Sequence, residues 1–223
     1  WEMSYDNIKF YATPTAFRHL GFFPDQSPHW VWAANKINDF SIGASNSSPP
    51  KILNLFGYSG LASLHAASKG ASVTHVDASK KAIHFAFENR NLSSFSNLPI
   101  KYLTDDALKF VHREIRRGNK YDGIILDPPK YGRGPNGEKW ELHKDLPILL
   151  NLLPKILSEE PLFIILNSYA IRSSYLSLHY ALMEVMKKFG GKVESGEISI
   201  FEDQLDPREI STAIFARWEN KKP

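Results

Sequence analysis

From Lys51 onward the chain alternates short apolar runs with longer amphipathic ones. The apolar runs fall at Lys51–Phe56, Val73–Val76, Ile100–Leu103, Tyr121–Leu126 and Leu162–Leu166. Between them the spacing predicts helices to about Lys69, over Lys80–Asn91, to about Arg117, over Leu142–Leu157 and over Ser174–Phe189. Two late runs, near Val193–Phe201 and Ser211–Trp218, are joined without a helix and predict an antiparallel edge hairpin. Strands alternating with helices of this length imply a parallel sheet covered on both faces. The expected fold class is α/β: a doubly wound, mostly parallel seven-stranded sheet with an antiparallel C-terminal hairpin.

Upstream the pattern is less regular. Residues 1–27 scatter Trp1, Tyr5, Phe10, Tyr11, Phe17, Phe22 and Phe23 among polar positions, which reads as short strands or a lid rather than a separate core. Pro28 opens a helix to about Phe40, with Trp30, Val31, Ala34 and Ile37 close to helical spacing. Ser41–Pro50, rich in Ser, Asn, Gly and Pro, reads as a linker. Three segments are expected: 1–40, an aromatic stretch and helix packing on the main domain; 41–50, a linker; and 51–223, the main α/β domain.

Composition narrows the chemistry. There is no cysteine among the 223 residues, which excludes disulfides, thiolate metal sites and any enzyme-thiolate mechanism. That fits a reducing compartment, and a cytoplasmic location is expected. No metal site is expected. No apolar run has membrane-spanning length, so no membrane partner is expected, and the N-terminal segment does not read as a signal peptide. A net charge of +3 permits a nucleic-acid partner without arguing for one.

In doubly wound sheets, ligands bind beyond the carboxyl ends of the strands. Four segments fall there. Phe56-Gly57-Tyr58-Ser59-Gly60 turns from strand to helix, and its glycines let backbone pass close to a ligand or merely make a tight turn. Asp77, followed by Ala78 and Ser79, can accept the hydroxyls of a ribose or cap the next helix. Asp105-Asp106-Ala107 offers carboxylates and free amides to a base edge, with helix capping as the alternative for Asp105. In Asp127-Pro128-Pro129-Lys130-Tyr131 two prolines fix the exit from the strand and leave carbonyls free to face a ligand. Together the segments suggest a nucleoside site.

The set Asn-x-Phe-x-Tyr-Ser-Gly, Val-Asp-x-Ser, Asp-Asp and Asp-Pro-Pro-Lys resembles the class I S-adenosylmethionine-dependent methyltransferases related to large-subunit ribosomal RNA methyltransferases. Further matches are Gly21-Phe22-Phe23-Pro24-Asp25-Gln26 and Thr212-Ala213-Ile214-Phe215-Ala216, so the resemblance covers about residues 20–218. It implies a Rossmann-like methyltransferase fold with S-adenosyl-L-methionine as cofactor. Gly57, Tyr58 and Gly60 would border the methionine part, Asp77 the ribose, and Asp106 with Ala107 the adenine. Asp127 to Tyr131 would line the junction with the acceptor, and Gln26 would close the pocket. Cytosine-C5 members of this family use a cysteine after the following strand. Here that stretch reads Leu166-Asn167-Ser168-Tyr169, which rules out the thiolate route.

What remains is transfer to a nitrogen or another acceptor that needs no thiolate. Asp127 can hold an amine, and Asp-Pro-Pro-Lys-Tyr is similar to the Asp/Asn-Pro-Pro-aromatic motif of amino methyltransferases, with Lys130 displacing the aromatic. Tyr131 can stack on a base. The Gly-rich loop to Trp140, expected to be flexible, is either a solvated surface loop or adds Arg133 and Lys139 for phosphates and Trp140 for a stacked base. Arg113, Arg116 and Arg117 read as a solvated helix face. The expected function is RNA methylation in ribosomal RNA processing. Alternatives are methylation of a protein or small molecule, or an inactive RNA-binding scaffold.

Overall fold

A computed structural model describes residues 1–15, 19–43, 48–203, 205 and 207–221. Phe17 and the linker positions 44–47 lie outside the described residues. In chain order the elements are β1 (Glu2–Tyr5), β2 (Ile8–Tyr11), α1 (Ser27–Gly43), β3 (Lys51–Leu55), α2 (Leu61–Ser68), β4 (Ser72–Asp77), α3 (Lys80–Leu92), β5 (Ile100–Thr104) and α4 (Ala107–Arg117). They continue with β6 (Gly123–Leu126), β7 (Tyr131–Arg133), β8 (Lys139–Glu141), α5 (Leu142–Leu152), β9 (Phe163–Tyr169), α6 (Tyr175–Met186), β10 (Lys192–Phe201) and β11 (Glu209–Glu219).

The main sheet has seven strands in the order β10-β11-β9-β6-β3-β4-β5. The pairs among β9, β6, β3, β4 and β5 are parallel, and β11 runs antiparallel to both β9 and β10. The order reverses at β3, which lies between β6 and β4, so ligands are expected beyond its carboxyl end. Apolar residues alternate across the strands and feed two cores. Leu53, Leu55, Ile124, Leu126, Ile164 and Leu166 face the layer of α4, α5 and α6. Ile52, Ile125, Phe163 and Ile165 face the layer that holds α1, α2 and the β1–β2 hairpin.

Two local expectations change. Helix α1 packs its apolar side (Trp30, Ala33, Ile37) into the core with Ile52 and Phe163, and it runs three residues into the stretch read as a linker, where Ser41 Oγ donates to Ile37 O at 3.0 Å. The flexible loop expected after Tyr131 is instead a closed hairpin with Tyr131 opposite Glu141 and Arg133 opposite Lys139. Glu138 fastens its turn, accepting from Asn136 N at 2.8 Å and pairing with Lys109 of α4 at 2.5 Å. The contact with the Lys109 ammonium holds the Glu138 carboxyl down to about 2. The N-terminal hairpin supplies the short strands expected there and is tied to α3 and its C-cap: Tyr11 N donates to Asn89 Oδ1 at 2.9 Å and Lys9 N to Ser93 Oγ at 3.0 Å.

Candidate active site

The strand order sets the site's layout. Along the carboxyl edge the chain presents Tyr169 at the end of β9, Asp127 after β6, the Phe56–Gly60 turn after β3, Asp77 at the end of β4 and Asp105–Asp106 after β5. Neighbouring strands stand ~4.8 Å apart, so this row extends over roughly 19 Å. A cavity of about 310 Å³ follows it, within the size range of small-molecule sites.

The turn after β3 is strained. Phe56 and Tyr58 adopt positive φ (60° and 44°) without being glycine, and Gly60 follows at 84°. Such backbone persists where surrounding bonds over-determine it. Here Tyr58 N donates to Asp77 Oδ2 at 2.9 Å, Gly57 N to Val76 O at 3.1 Å and Gly60 N to Gly57 O at 3.0 Å. A side chain on Gly57 would drive its Cβ to 2.3 Å from the His75 ring. That ring is buried and held by Ser63, which in turn receives Asn54 Nδ2, both contacts at 2.9 Å. Burial drives the imidazole down to about 3, so it is neutral. Gly57→Ala is therefore expected to cost about 1–3 kcal/mol by overpacking. Thermal unfolding measures this, and an unchanged Tm would show that the ring can yield. Gly60 does not border the cavity; its positive φ and missing Cβ allow contact with Ala86 of α3.

Asp77 borders the cavity with both oxygens already engaged once, Oδ2 by Tyr58 N and Oδ1 by Ser79 N at 2.8 Å. An ionised carboxylate has further lone pairs, enough for two ribose hydroxyls. Burial raises its pKa, and the two amide bonds oppose that shift. Ser79 itself caps α3, as the sequence suggested. At β5 two details differ from expectation. Asp106, not Asp105, caps the next helix, accepting from Lys109 N at 2.9 Å. The amides expected to be free are partly taken: Asp105 N donates to Asp77 O and Asp106 N to Asp105 Oδ1. Asp105 is ion-paired with Arg113, so that arginine is not simply a solvated charge. Asp105, Asp106 and Ala107 all border the cavity, as do Gln26, Phe56, Ser59 and Ala78.

Asp127 stands at the other end. Asn167 Nδ2 of β9 donates to its Oδ1 at 2.7 Å. Burial pushes the Asp127 carboxyl up to about 6; Asn167 opposes this and Asp25 adds to it. Pro129 and Arg133 border the cavity, whereas Pro128, Lys130, Tyr131 and Lys139 do not. Two carbonyls of this segment are used internally rather than turned to a ligand: Pro129 O accepts from Trp140 Nε1 at 2.7 Å and Lys130 O from Leu142 N at 3.0 Å. Trp140 is only 4% exposed and packs against Phe56, so it walls the cavity and cannot present a free face to a base outside. Tyr131, in contrast, is 68% exposed.

Several cavity residues carried no separate signal in the sequence. Asn167 and Tyr169 occupy the stretch noted for its lack of cysteine. Strand alternation turns Ser168 away from the cavity into full burial. Asn54 interrupts an apolar strand, the one hint that a buried polar network lay there. Phe23, His19 and His29 reach the cavity from the N-terminal segment through tertiary packing alone.

The cradle suits a nucleoside cofactor: a carboxylate with spare lone pairs, a strained turn that leaves room for a ligand, and a second acidic segment one strand farther along. The comparisons agree. Residues 35–147 match the family described as conserved hypothetical protein 95. The ribosomal RNA large subunit methyltransferase K/L of Shewanella frigidimarina is 37% identical over 109 residues, 48% of this chain and 15% of that protein. The ribosomal RNA large subunit methyltransferase I of Alteromonas mediterranea is 33% identical over 112 residues, 50% of this chain and 26% of that protein. The chain thus spans well under half the length of these curated relatives. A crystal structure of an S-adenosylmethionine-dependent methyltransferase from Agrobacterium tumefaciens is 48% identical, with a TM-score of 0.93 over 99% of this chain and 70% of that one. The chain therefore belongs to the conserved hypothetical protein 95 family and is a member of the class I S-adenosylmethionine-dependent methyltransferases.

Proposed function

We propose that this protein methylates an amino nitrogen of RNA, in ribosomal RNA processing, by a route that needs no cysteine. The observation that carries the reading is the Asp127–Asn167 pair, set in the cavity wall close to an exposed hairpin bearing Arg133, Lys139 and Tyr131. The names of the relatives support RNA as the substrate class. The cofactor supplies an activated methyl group on a sulfonium. The protein's own task is then alignment of an acceptor lone pair with that group.

In this reading Asp77 holds the ribose and Asp106 with Ala107 borders the adenine. The Phe56–Gly60 turn lies along the methionine part, and Gln26 closes the cavity. Asp127 accepts the hydrogens of the acceptor amine, turning its lone pair toward the methyl group. Asn167 keeps the carboxylate oriented. The N-terminal segment, residues 1–40, contributes to closing the site; Gln26 and His29 on the cavity wall support this. The reading includes a cytoplasmic location, where ribosomal RNA is available to a modifying enzyme. Among the described residues no helix is long and apolar enough to cross a membrane, and no acidic or histidine cluster suits a metal ion.

Arg133 and Lys139 face each other across the hairpin ladder, and among the described residues neither is in an ion pair. Both charges are thus available to phosphates. RNA binding is expected to weaken with salt, and the Arg133→Ala/Lys139→Ala double variant is expected to flatten the log–log slope by about 1–2. Tyr131→Ala is expected to cost about 1–3 kcal/mol if a flanking base stacks on the exposed ring. Filter binding of single-stranded and structured RNA across a salt series reads both. Labelled cofactor incubated with RNA, protein and metabolite fractions tests the substrate class itself, and label in protein or metabolites alone would overturn the RNA reading.

A further inference from the structure

Four rings from three separate parts of the chain converge on the acceptor half of the cavity. His19 and Phe23 come from the N-terminal segment, Tyr58 from the turn after β3 and Tyr169 from the end of β9, and all four border the cavity. Phe23 lies at the centre, with ring centroids 5.0 Å from His19, 6.0 Å from Tyr58 and 6.1 Å from Tyr169. His19 meets Tyr58 edge-on at 5.8 Å. None of the four is buried, and Tyr169 is 36% exposed. Partial desolvation against the cavity wall raises the Tyr169 phenol, and the Asp127 carboxylate and Tyr58 add to the shift, which fits a ring beside the acceptor carboxylate.

We infer that this aromatic collar is the seat of the methyl acceptor: a flat heteroaromatic base, extruded from its strand, that lies against Phe23 and Tyr169 and presents its amino group to Asp127. The inference rests on the RNA reading above and locates the target base within it. Aromatic rings ordinarily bury their faces in a core; a cluster that keeps them open toward a cavity offers stacking surface to a planar ligand. The adenosine of the cofactor does not compete for it, and Tyr58, which lies along the methionine part, marks where cofactor and acceptor meet. Asp77 ends β4 and Asp106 stands after β5, whereas the collar lies toward β3, β6 and β9. The exposed Tyr131 of the hairpin then serves a flanking nucleotide, and the two aromatic sites divide the strand between them.

The test uses the full chain saturated with S-adenosylhomocysteine, so that the adenosine site is filled. A single-stranded oligoribonucleotide carrying one 2-aminopurine is titrated in, and quenching of its fluorescence reports stacking. The parent is expected to quench the probe. Phe23→Leu and Tyr169→Leu, which keep bulk but remove the ring, are each expected to weaken the quenching interaction at least about tenfold. Tyr169→Phe should retain it, and so should Tyr180→Ala on the distant face of α6. Calorimetry with S-adenosylhomocysteine should give parent-like affinity in the two leucine variants, which separates loss of the seat from collapse of the cofactor site. An unquenched probe in the parent, or equal quenching in the leucine variants, overturns the inference. Label entering RNA while the leucine variants quench normally would reject the collar alone. Ring-dependent quenching with label entering only protein would reject the RNA reading and leave the collar as a binding site for flat ligands.

Discussion

Asp127→Ala is expected to lower turnover by about 10²–10⁴-fold while leaving cofactor affinity within a few-fold of the parent, since its proposed contact is made with the acceptor. The informative companion is Asp127→Asn. Its carbonyl can still accept from Asn167, so the fold around the site should survive. Its amide nitrogen, however, meets the acceptor amine donor to donor. Pre-steady-state methyl transfer and calorimetry on the same preparations separate the two effects. Near-parent turnover in either variant would remove Asp127 from the reaction.

The same residue sets a pH dependence. Burial holds its carboxyl at about 6, with Asn167 pulling it down and Asp25 pushing it up. The ionised form is the one that accepts amine hydrogens. kcat/KM is therefore expected to fall as pH drops through about 6 and to be flat just above it. For stability the sign is opposite. A carboxylate whose folded pKa lies above its unfolded value binds its proton more tightly when folded, so this group stabilises the fold as pH falls from about 6 toward 4. An acid limb in activity without acid unfolding is thus the expected pattern for this group. In Asp127→Asn the acid limb should disappear from the residual activity.

The second large effect concerns Asp77. Removing a carboxylate that holds ribose hydroxyls is expected to cost about 1–3 kcal/mol of cofactor affinity. The structure sharpens this. Its two oxygens also anchor the amides of Tyr58 and Ser79, so Asp77→Ala frees the strained turn at Phe56–Gly60 as well as losing the ribose contact. Asp77→Asn should be nearly as damaging. Whichever way the amide is oriented, its NH2 faces one of those N–H donors, a repulsion in place of a bond. Calorimetry with S-adenosylmethionine reads both variants. Unchanged affinity in Asp77→Ala would put the ribose elsewhere, and a parent-like Asp77→Asn would mean that charge and double acceptance are not needed.

Much of this protein is written locally in its sequence. Short apolar runs ending in Gly57, Asp77, Asp106 and Asp127 specify strands that deliver those residues to one edge. They do so because parallel strands in a doubly wound sheet all end on the same side. The helix cap at Ser79 and the C-terminal hairpin follow from equally local rules. The absence of cysteine alone disposes of one reaction class. Other features depend on contacts distant in sequence. The stretch from Tyr131 to Trp140 has a loop composition, yet Lys109 on another helix and the carbonyl of Pro129 turn it into a hairpin that buries its tryptophan. The partnership of Asp127 with Asn167 spans 40 residues and arises because β6 and β9 are neighbours. His19, Phe23 and Tyr169 are unremarkable one by one. Only the packing of the N-terminal segment over the carboxyl end of β9 makes them a surface, because the sequence carries strand and helix periodicity but not which distant side chains meet.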